Sequence, residues 1–183
     1  DHLFQGAMFM TEQHAGSDVG SIDTCAECVD GNWFLTGDKW FCSNPDADLA
    51  MVLARHNKTI SGTKGLALFL LPKKLENGDL NNYEIIRLKD KLGGRSFASG
   101  EIKLNRAFAY LVGDPNEGFK QMTDMINMSR LSNGVRASGM MQRCFQESLF
   151  ISNSRHAFNK KLIDLPLMQK QLLKMLVITE ASR

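Results

Sequence analysis

Residues 22–36, IDTCAECVDGNWFLT, predict a β-hairpin. Apolar and polar residues alternate on both sides of Asp30-Gly31, a dipeptide that favours the two-residue turn between antiparallel strands. Seven more short apolar segments lie between turn signals in the first 112 residues: 7–10, 39–43, 49–55, 65–71, 83–88, 100–104 and 108–112. Gly37-Asp38 is predicted to form the next corner of the chain. Eight or nine short strands in this part of the chain favour an antiparallel β-sandwich or barrel over βαβ units.

The pattern changes at residues 113–118, GDPNEG, after which the apolar residues take helical spacing. This spacing predicts one long helix. A break at residues 154–164 precedes Pro166, which suits the first turn of a second helix. We therefore expect an α+β chain, with a β domain over residues 1–113 and the first two long helices of an all-α bundle domain over residues 114–183.

Two further features belong to the helical part. Residues 132–139, SNGVRASG, are unusually small, and each glycine in a helix costs about 1 kcal/mol relative to alanine. This composition favours the close approach of another helix or of a flat ligand. Residues 172–183 lack a Gly, Asn or Pro stop signal, so we expect the chain to be a piece of a longer protein.

The composition is that of an ordinary soluble globular protein. The chain has 183 residues, of which 43% are hydrophobic and 23% are charged, with a formal net charge of +2. These values exclude a disordered chain, a collagen and a small disulfide scaffold. No apolar run approaches the roughly 20 residues that cross a bilayer, and no signal peptide is visible in residues 1–6. We expect a cytoplasmic protein without a membrane partner.

The positive charge is concentrated in the second part of the chain. Residues 1–113 carry 12 Lys and Arg against 14 Asp and Glu, whereas residues 114–183 carry 10 against 6, so the net charges are −2 and +4. This balance falls short of the dense basic stripe of a dedicated nucleic-acid binder. A smaller polyanion, such as the pyrophosphate of an adenine nucleotide, stays open as a ligand because it needs only a few positive charges.

The four cysteines are interpreted as structural thiols: Cys25, Cys28, Cys42 and Cys144. Cys25 and Cys28 form a C-x-x-C motif, but a spacing of three within a strand points the two thiols to opposite faces. Neither a second C-x-x-C nor a histidine at ligand spacing completes a zinc set. We therefore expect no metal site. The alternative interpretation is metal or redox chemistry at these cysteines.

The first candidate binding segment is residues 10–20, MTEQHAGSDVG. A strand ends here and small residues turn the chain, which exposes backbone N–H groups beside the hydroxyls of Thr11 and Ser17. Such a turn can hold an anionic or carbonyl-rich flat ligand. The alternative is a polar loop in which Ser17 or Asp18 makes a local turn bond.

The second candidate segment is residues 37–44, GDKWFCSN. Trp40 and Phe41 precede the Ser43 hydroxyl at the end of a strand. An aromatic face can hold a planar ring while a hydroxyl bonds the edge of that ring. The alternative is that Trp40 or Phe41 packs in the core, because strand alternation points one of them inward.

In this order and spacing, the two segments resemble the signatures of the acyl-CoA dehydrogenase family. Residues 91–96 resemble the family's late β-domain loop, residues 113–118 its exit into helices, and residues 155–158 the loop between two long helices. The resemblance covers the whole chain and implies its middle β domain and the start of its C-terminal helical domain. Three segments most resemble the adaptive-response branch, flavoproteins linked to alkylation damage: residues 39–41, 88–93 and 166–168.

The resemblance implies FAD and assigns flavin contacts to ten positions: Met8, Met10, Thr11, Gly16, Ser17, Phe41, Cys42, Ser43, Arg155 and Phe158. Phe41 would lie against the isoalloxazine ring, where many members have Trp. Ser43 would hydrogen-bond the N5 edge, where many have Thr. Arg155 and Phe158 would reach the FAD of a neighbouring subunit, although Asn159 replaces a usual Gly.

The resemblance also implies residues that bind the acyl-CoA: Ser17, Asn127 and Arg130. For Arg130 the alternative is a solvated or salt-bridged helix residue. Some members place their catalytic carboxylate on this helix, but the matching residue is Ser129, which cannot act as the base. In other members the base is a later Glu, expected beyond Arg183, so we assign no catalytic residue and expect this fragment alone to be inactive.

The implied reaction is the α,β-dehydrogenation of an acyl-CoA thioester, in which a carboxylate removes the α-proton and the β-hydride passes to flavin N5. The implied partners are an electron-transfer flavoprotein or oxygen as acceptor and further copies of the chain in a tetramer or dimer, within cytoplasmic fatty acid metabolism. Two alternatives stay open. One is an adaptive-response flavoprotein that binds DNA, protects against alkylation and has only weak dehydrogenase activity. The other is a β-sandwich whose helices serve assembly only.

Overall fold

The computed structural model describes residues 3–183, so Asp1 and His2 of the expected β domain lie outside the described residues. The chain divides into two compact units, one ending at Asp124 and the other spanning Met125–Arg183. The strands of the first unit are β1 Gly6–Phe9, β2 Cys25–Val29, β3 Asn32–Ser43, β4 Leu49–Arg55, β5 Leu66–Pro72, β6 Tyr83–Leu88 and β7 Ser99–Val112. Helix α1, Gly118–Ser154, begins in this unit and continues into the second.

Five of these strands form a closed circuit. Antiparallel pairing joins β2 to β3, β3 to β7, β7 to β5 and β5 to β4. The circuit closes where β4 meets β2 through one parallel pair, Cys25 and Arg55. Strand β1 adds to β4 in parallel, and β6 adds to β7 in antiparallel orientation. The expected barrel-like β domain is confirmed, and the two parallel pairings are features that the sequence pattern did not indicate.

The predicted corner at Gly37-Asp38 is wrong, because β3 runs through it without a turn. Gly37 has φ +149°, and a Cβ atom there would lie 2.7 Å from the Cα of Thr24. The glycine therefore marks a close approach of two backbones rather than a chain reversal.

The predicted strands at residues 100–104 and 108–112 are likewise one continuous strand, β7. The register passes from Leu35 opposite Ala107 to Thr36 opposite Asn105, so Arg106 is an extra residue in β7. Arg106 has φ +56°, as expected for a bulged residue. Both interruptions of the apolar pattern thus lie within continuous strands, the second of them at the Arg106 bulge, which is why seven strands replace the expected eight or nine.

The hydrophobic core lies inside the circuit and takes the inward-facing residue of each strand. Its largest members are Phe9, Leu35, Val52, Phe69, Leu71, Ile102 and Leu104. The start of α1 packs directly on β5, because a Cβ atom at Gly118 would lie 2.5 Å from the backbone of Ala67. Met122, one turn further along α1, is buried as well.

Arg55 fixes the loops beside the closing pair. Its guanidinium donates to the carbonyl oxygens of Gly20 at 2.6 Å, Ile22 at 3.3 Å and Ile60 at 2.8 Å. These bonds hold the turns that follow β1 and β4 against the end of the circuit. A positive charge bound only by carbonyl dipoles satisfies backbone groups that those tight turns leave unpaired.

In the second unit, α1 ends at Ser154 and is followed by a short hairpin, β8 His156–Ala157 and β9 Lys160–Lys161. Helix α2 spans Pro166–Ala181 and begins with the proline at its first position, as the sequence predicts. No helix of residues 3–183 has a stretch long and apolar enough to cross a membrane.

Candidate functional site

Strands β1 and β3 present four of the predicted flavin contacts on the outer surface of the first unit. Alternation points Phe9 inward and Met8 and Met10 outward along β1 and its end. Phe41 and Ser43 are likewise exposed on β3, and 54% of the Phe41 side chain is accessible. The outer face of these two segments, Met8–Thr11 and Phe41–Ser43, is called the β1–β3 face below.

The predicted alternative, in which Trp40 or Phe41 packs in the core, is wrong. The register between β3 and β7 passes from Lys39 opposite Ile102 to Cys42 opposite Gly100, so β3 carries one extra residue here. This bulge turns Lys39 and Cys42 inward and leaves Trp40 half-buried and Phe41 exposed. Both aromatic rings are therefore free of the core.

Hydrogen bonds hold the two segments of the β1–β3 face together, although β1 and β3 are not paired in the sheet. The Trp40 N–H, which the bulge releases from β7, donates to the Thr11 carbonyl at 2.8 Å. At the other end, the Asn44 side chain donates to the Gln5 side chain at 3.1 Å. Since these contacts bracket Met8, Met10, Phe41 and Ser43, the four side chains belong to one continuous surface.

The loop after β1 is closed by two reciprocal backbone bonds. Glu12 N–H donates to the Ala15 carbonyl at 3.1 Å, and Ala15 N–H donates to the Glu12 carbonyl at 3.2 Å. Gly16 and Ser17 follow as exposed residues, and within the described part of the chain their backbone N–H groups have no hydrogen-bond partner. They are donors available to a ligand.

The alternative of a local turn bond from the Ser17 or Asp18 side chain is wrong. Among residues 3–183, neither side chain makes a hydrogen bond, and the turn is held instead by Ser21, whose N–H and hydroxyl both donate to the Asp18 carbonyl. The Ser17 hydroxyl is thus exposed and unengaged, as a ligand contact requires.

Beneath the loop, Glu12 and Lys39 form a buried ion pair with 2.8 Å between Lys39 Nζ and Glu12 Oε1. Glu12 also accepts bonds from the N–H groups of Asp23 at 2.7 Å and Thr24 at 3.0 Å and from the Thr24 hydroxyl. Burial alone would raise the pKa of Glu12, but the Lys39 charge and these bonds hold the pKa below its usual value. Burial lowers the pKa of Lys39, while Glu12 opposes that shift.

A cavity of about 450 Å³ opens over this pair. Its polar walls include His14, Asp23 and Asp38, and Trp40 and Ile86 supply an apolar side. Among the described residues, no group of three or more His, Cys, Asp or Glu side chains is arranged to hold a metal ion.

Lys89 is a further charged residue at the β1–β3 face. Its ammonium nitrogen lies 3.3 Å from the centroid of the Trp40 ring and 4.4 Å from that of Phe41. Glu101 neutralises it at 2.7 Å, and Arg87 binds the other oxygen of the same carboxylate at 3.0 Å. The hydrogen bond from Arg87 and then that from Lys89 hold the pKa of Glu101 below its usual value.

Sequence reasoning missed the roles of Glu12, Lys39 and Lys89. Lys39 and Phe41 are two residues apart, so a regular strand would place both on one face, and only the bulge separates them. Lys89 follows the last residue of β6 and reaches the aromatic pair across the sheet, a contact that no spacing in the sequence indicates. The one available signal was a lysine directly before the aromatic pair Trp40-Phe41 in the strand.

Cys42, one of the ten predicted flavin contacts, has its side chain in the core. Burial raises the pKa of its thiol to about 12, against the smaller opposing effects of Lys39 and Lys89. Only the backbone of Cys42 is therefore able to contact a ligand on the β1–β3 face.

In the second unit, Asn127 and Arg130 are both exposed on α1, one turn apart. The Arg130 guanidinium lies 3.4 Å from the Asn127 side-chain oxygen. Ser129 is exposed beside them, and no residue of the unit forms a salt bridge with Arg130. Among residues 3–183 the salt-bridge alternative for Arg130 is therefore wrong, whereas the alternative of a solvated helix residue agrees with its exposure.

Arg155 and Phe158 lie at the hairpin between α1 and α2. Phe158 and Asn159 form its turn with φ +53° and +60°, the combination of a type I′ turn. This turn displays Phe158 with 88% of its side chain exposed. Asparagine tolerates the left-handed conformation better than most residues, which explains how Asn159 replaces the usual glycine.

The predicted close approach at residues 132–139 is found at Ser138, whose hydroxyl accepts a hydrogen bond from the Ser182 hydroxyl at the end of α2 at 3.3 Å, but not at the two glycines. Cβ atoms added at Gly134 and Gly139 would meet no atom of the described residues within 4 Å. A broad cavity of about 810 Å³ lies beside these glycines and is also lined by Arg130 and Arg183.

Comparison with known proteins extends over both units. Residues 7–107 match the acyl-CoA dehydrogenase middle domain, and residues 116–183 match the acyl-CoA dehydrogenase C-terminal domain. The chain is 38% identical to acyl-CoA dehydrogenase family member 11 of Caenorhabditis elegans, over 95% of this chain and 29% of the relative. It is 38% identical to the putative acyl-CoA dehydrogenase AidB of Escherichia coli K12, over 96% of this chain and 31% of the relative.

A solved structure agrees with these matches. The crystal structure of Caenorhabditis elegans ACDH-11 in complex with C11-CoA superposes with a TM-score of 0.84 and 36% identity. The superposition covers 96% of this chain and 31% of that one. The chain thus spans about three tenths of the length of these relatives.

Proposed function

Because the chain belongs to the acyl-CoA dehydrogenase family, whose members are FAD-dependent flavoproteins, we propose that it forms the flavin-binding part of an enzyme that oxidises an acyl-CoA thioester. Bound FAD supplies the hydride acceptor for removal of hydrogen from the α and β carbons. The observation that carries the proposal is the β1–β3 face, which combines an exposed aromatic ring with an exposed hydroxyl, together with the free backbone donors of the loop that follows β1.

The chemistry of this face suits a flavin. Phe41 offers a ring for stacking, and Met8 and Met10 offer flexible apolar contacts to a planar ligand. Ser43 supplies an exposed hydroxyl two residues along the same face, which would donate to the edge of a ring stacked on Phe41. The free N–H groups of Gly16 and Ser17 are donors of the kind that binds phosphate oxygens.

The same proposal gives separate roles to the second unit. Asn127 and Arg130 would bind the acyl-CoA, since an unpaired guanidinium suits the anionic part of such a substrate. Arg155 and Phe158 would extend from the hairpin to the FAD of a neighbouring subunit. The exposure of Phe158 and the charge of Arg155 support that role.

Flavin binding is tested with the full-length protein and three variants. We expect Phe41→Ala and Ser43→Ala to weaken FAD binding and to shift the visible absorption bands, with a loss of about 2-fold to 10-fold for the hydroxyl. Thr36→Ala is the matched control, because Thr36 is an exposed hydroxyl on the same strand away from the β1–β3 face. Equal FAD affinity and identical spectra in all three variants would contradict the assignment.

The reaction is tested by adding acyl-CoA thioesters of increasing chain length without oxygen. The proposed activity bleaches the yellow flavin band with at least one of them. Persistent colour with every chain length would contradict it. Parallel assays with an electron-transfer flavoprotein and with oxygen identify the acceptor, which stays a prediction, as do the homo-oligomer, the cytoplasmic location and the role in fatty acid metabolism.

The DNA-binding alternative also stays a prediction. It is supported only by the four excess positive charges of residues 114–183. A gel-shift titration at low and high salt tests it, because binding through phosphates weakens steeply with salt. Absence of a shift at low salt would eliminate this function for the protein.

A further inference from the structure

We propose that the buried Glu12–Lys39 pair is a positioning device that sets the two segments of the β1–β3 face relative to each other. The inference rests on the proposed function of that face as the flavin site. Glu12 and Lys39 do not contact the face themselves, since both side chains are buried beneath it. They act on it through the residues next to them.

The first step of the argument is the number of donors that converge on one carboxylate. Four groups donate to Glu12: the ammonium of Lys39, the backbone N–H groups of Asp23 and Thr24, and the hydroxyl of Thr24. Both carboxylate oxygens are engaged, so the carboxylate has little freedom to rotate. Glu12 is thereby held at a defined position against the turn before β2.

The second step is the position of Lys39, which bonds two residues of the loop. Its Nζ lies 2.8 Å from Glu12 Oε1 and 3.2 Å from the Met10 carbonyl. Between them, the Thr11 carbonyl accepts the Trp40 N–H at 2.8 Å. Three consecutive residues of one segment are therefore bonded to two consecutive residues of the other, immediately beside Phe41.

The third step is why this arrangement serves position rather than stability. Removing two charges from water is costly, and replacing a buried ion pair by apolar side chains of similar volume is often neutral or stabilising. Apolar contacts, however, have no direction. Hydrogen bonds of defined length and angle fix the offset between Met10, Thr11 and Phe41, which a ligand that touches all three requires.

The experiment replaces the pair in the full-length protein with the double variant Glu12→Leu/Lys39→Met. We expect the melting temperature of the apoprotein to stay within a few degrees of wild type or to rise. The dissociation constant for FAD should increase at least 10-fold, and the visible circular dichroism of the residual bound flavin should change. Lys73→Met is the control, since it removes a 2.7 Å ion pair with Asp46 away from the face.

Thr24→Val is the second variant, and it keeps the test decisive if the double variant does not fold. It removes the hydroxyl donor to Glu12 while keeping the branched shape of the side chain, and it should alter the circular dichroism of the bound flavin while the protein stays folded. Wild-type FAD affinity and spectrum in either folded variant would overturn the positioning role. Failure of the wild-type protein to bind FAD would instead overturn the proposed function.

Discussion

Cys42 illustrates how one side chain can lie next to a candidate site without being available to it. Its thiol is enclosed in the core with a pKa of about 12, whereas Cys28 and Cys144 are exposed. Because alkylating reagents attack the thiolate, burial and the raised pKa both protect Cys42. Its neighbours Phe41 and Ser43 point the other way, so the strand separates a protected residue from two exposed ones.

We predict that iodoacetamide at pH 8 labels Cys28 and Cys144 of the native protein and leaves Cys42 unmodified. Peptide mass spectrometry over a time course measures the rate at each position. In denaturant all four cysteines should react at similar rates, which serves as the control. Labelling of native Cys42 at the rate of Cys28 would show that the strand does not bury it.

Glu12 is expected to make the stability of the folded protein depend on pH in the acid range. Its pKa in the folded protein lies below its usual value of 4.5, so folding favours the charged carboxylate. This contribution to stability is fully present above pH 4.5 and is lost as the pH falls through the lowered pKa. Glu101, held by Arg87 and Lys89, acts in the same direction.

Urea unfolding at a series of pH values from about 7 to about 3 measures this effect. The free energy of unfolding should fall with acid in the wild-type protein. Glu12→Gln should be less stable at neutral pH and should lose less stability on acidification. An acid slope identical to that of wild type would exclude Glu12 as a contributor.

At the scale of elements, the two bulges of β3 and β7 decide where the side chains of the site point. Residues 33–36 and 39–43 alternate well enough to predict strand structure on both sides of Gly37-Asp38, but a two-residue period cannot indicate an extra residue. The sequence therefore predicts the element and misses which face Lys39 occupies, since that depends on pairing with a strand some sixty residues away. Gly37 correctly indicated irregular backbone, but the irregularity is a close approach to Thr24 within a continuous strand and not the predicted corner.

Gly37→Ala is predicted to destabilise the first unit by roughly 2 kcal/mol or more. The added Cβ atom would lie 2.7 Å from both Cα and Oγ1 of Thr24, in a backbone conformation that suits glycine. Chemical denaturation measures the loss. Gly6→Ala is the matched control, because a Cβ atom there meets nothing within 4 Å and the residue also lies in a strand. Equal stability of both variants would contradict the close approach.

At the scale of the whole molecule, the hydrophobic core belongs almost entirely to the first unit. In Met125–Arg183, all of which the structure describes, Leu172 is the single buried hydrophobic residue. Large apolar side chains are exposed along both helices of this unit: Met128, Leu131, Val135, Met140, Phe150, Leu167, Leu173, Val177 and Ile178. A surface of this kind is typical of a region that packs against other protein.

We predict that residues 125–183 expressed alone self-associate and bind the dye ANS, whereas residues 3–124 remain monomeric and bind little. Size-exclusion chromatography and dye fluorescence measure both properties. The difference is expected because the second unit exposes as many large apolar side chains as the first in about half as many residues, with a single buried hydrophobic residue to hold them. A monomeric helical fragment that does not bind the dye would contradict the prediction.

How much of the structure the sequence could predict depends on whether a feature is set by neighbouring residues or by contacts between distant segments. Strand and helix positions follow from local periodicity, and α2 begins at Pro166 as expected. The β1–β3 face could be anticipated from its two motifs because each motif is continuous in the sequence. The roles of Thr24, Lys89 and Arg55 could not be anticipated, because each depends on contacts between distant segments.

The single pair of residues that closes the strand circuit has a consequence for motion. Cys25 and Arg55 form the only ladder position between β2 and β4 in the described sheet, so we expect the strands to separate more readily here than at the longer ladders of the circuit. The Arg55 N–H donates to the Thr24 carbonyl at 2.7 Å, and Thr24 in turn holds Glu12. Hydrogen exchange at the Arg55 N–H would therefore measure this local opening. We expect the opening to disturb the candidate flavin site while the rest of the barrel stays folded.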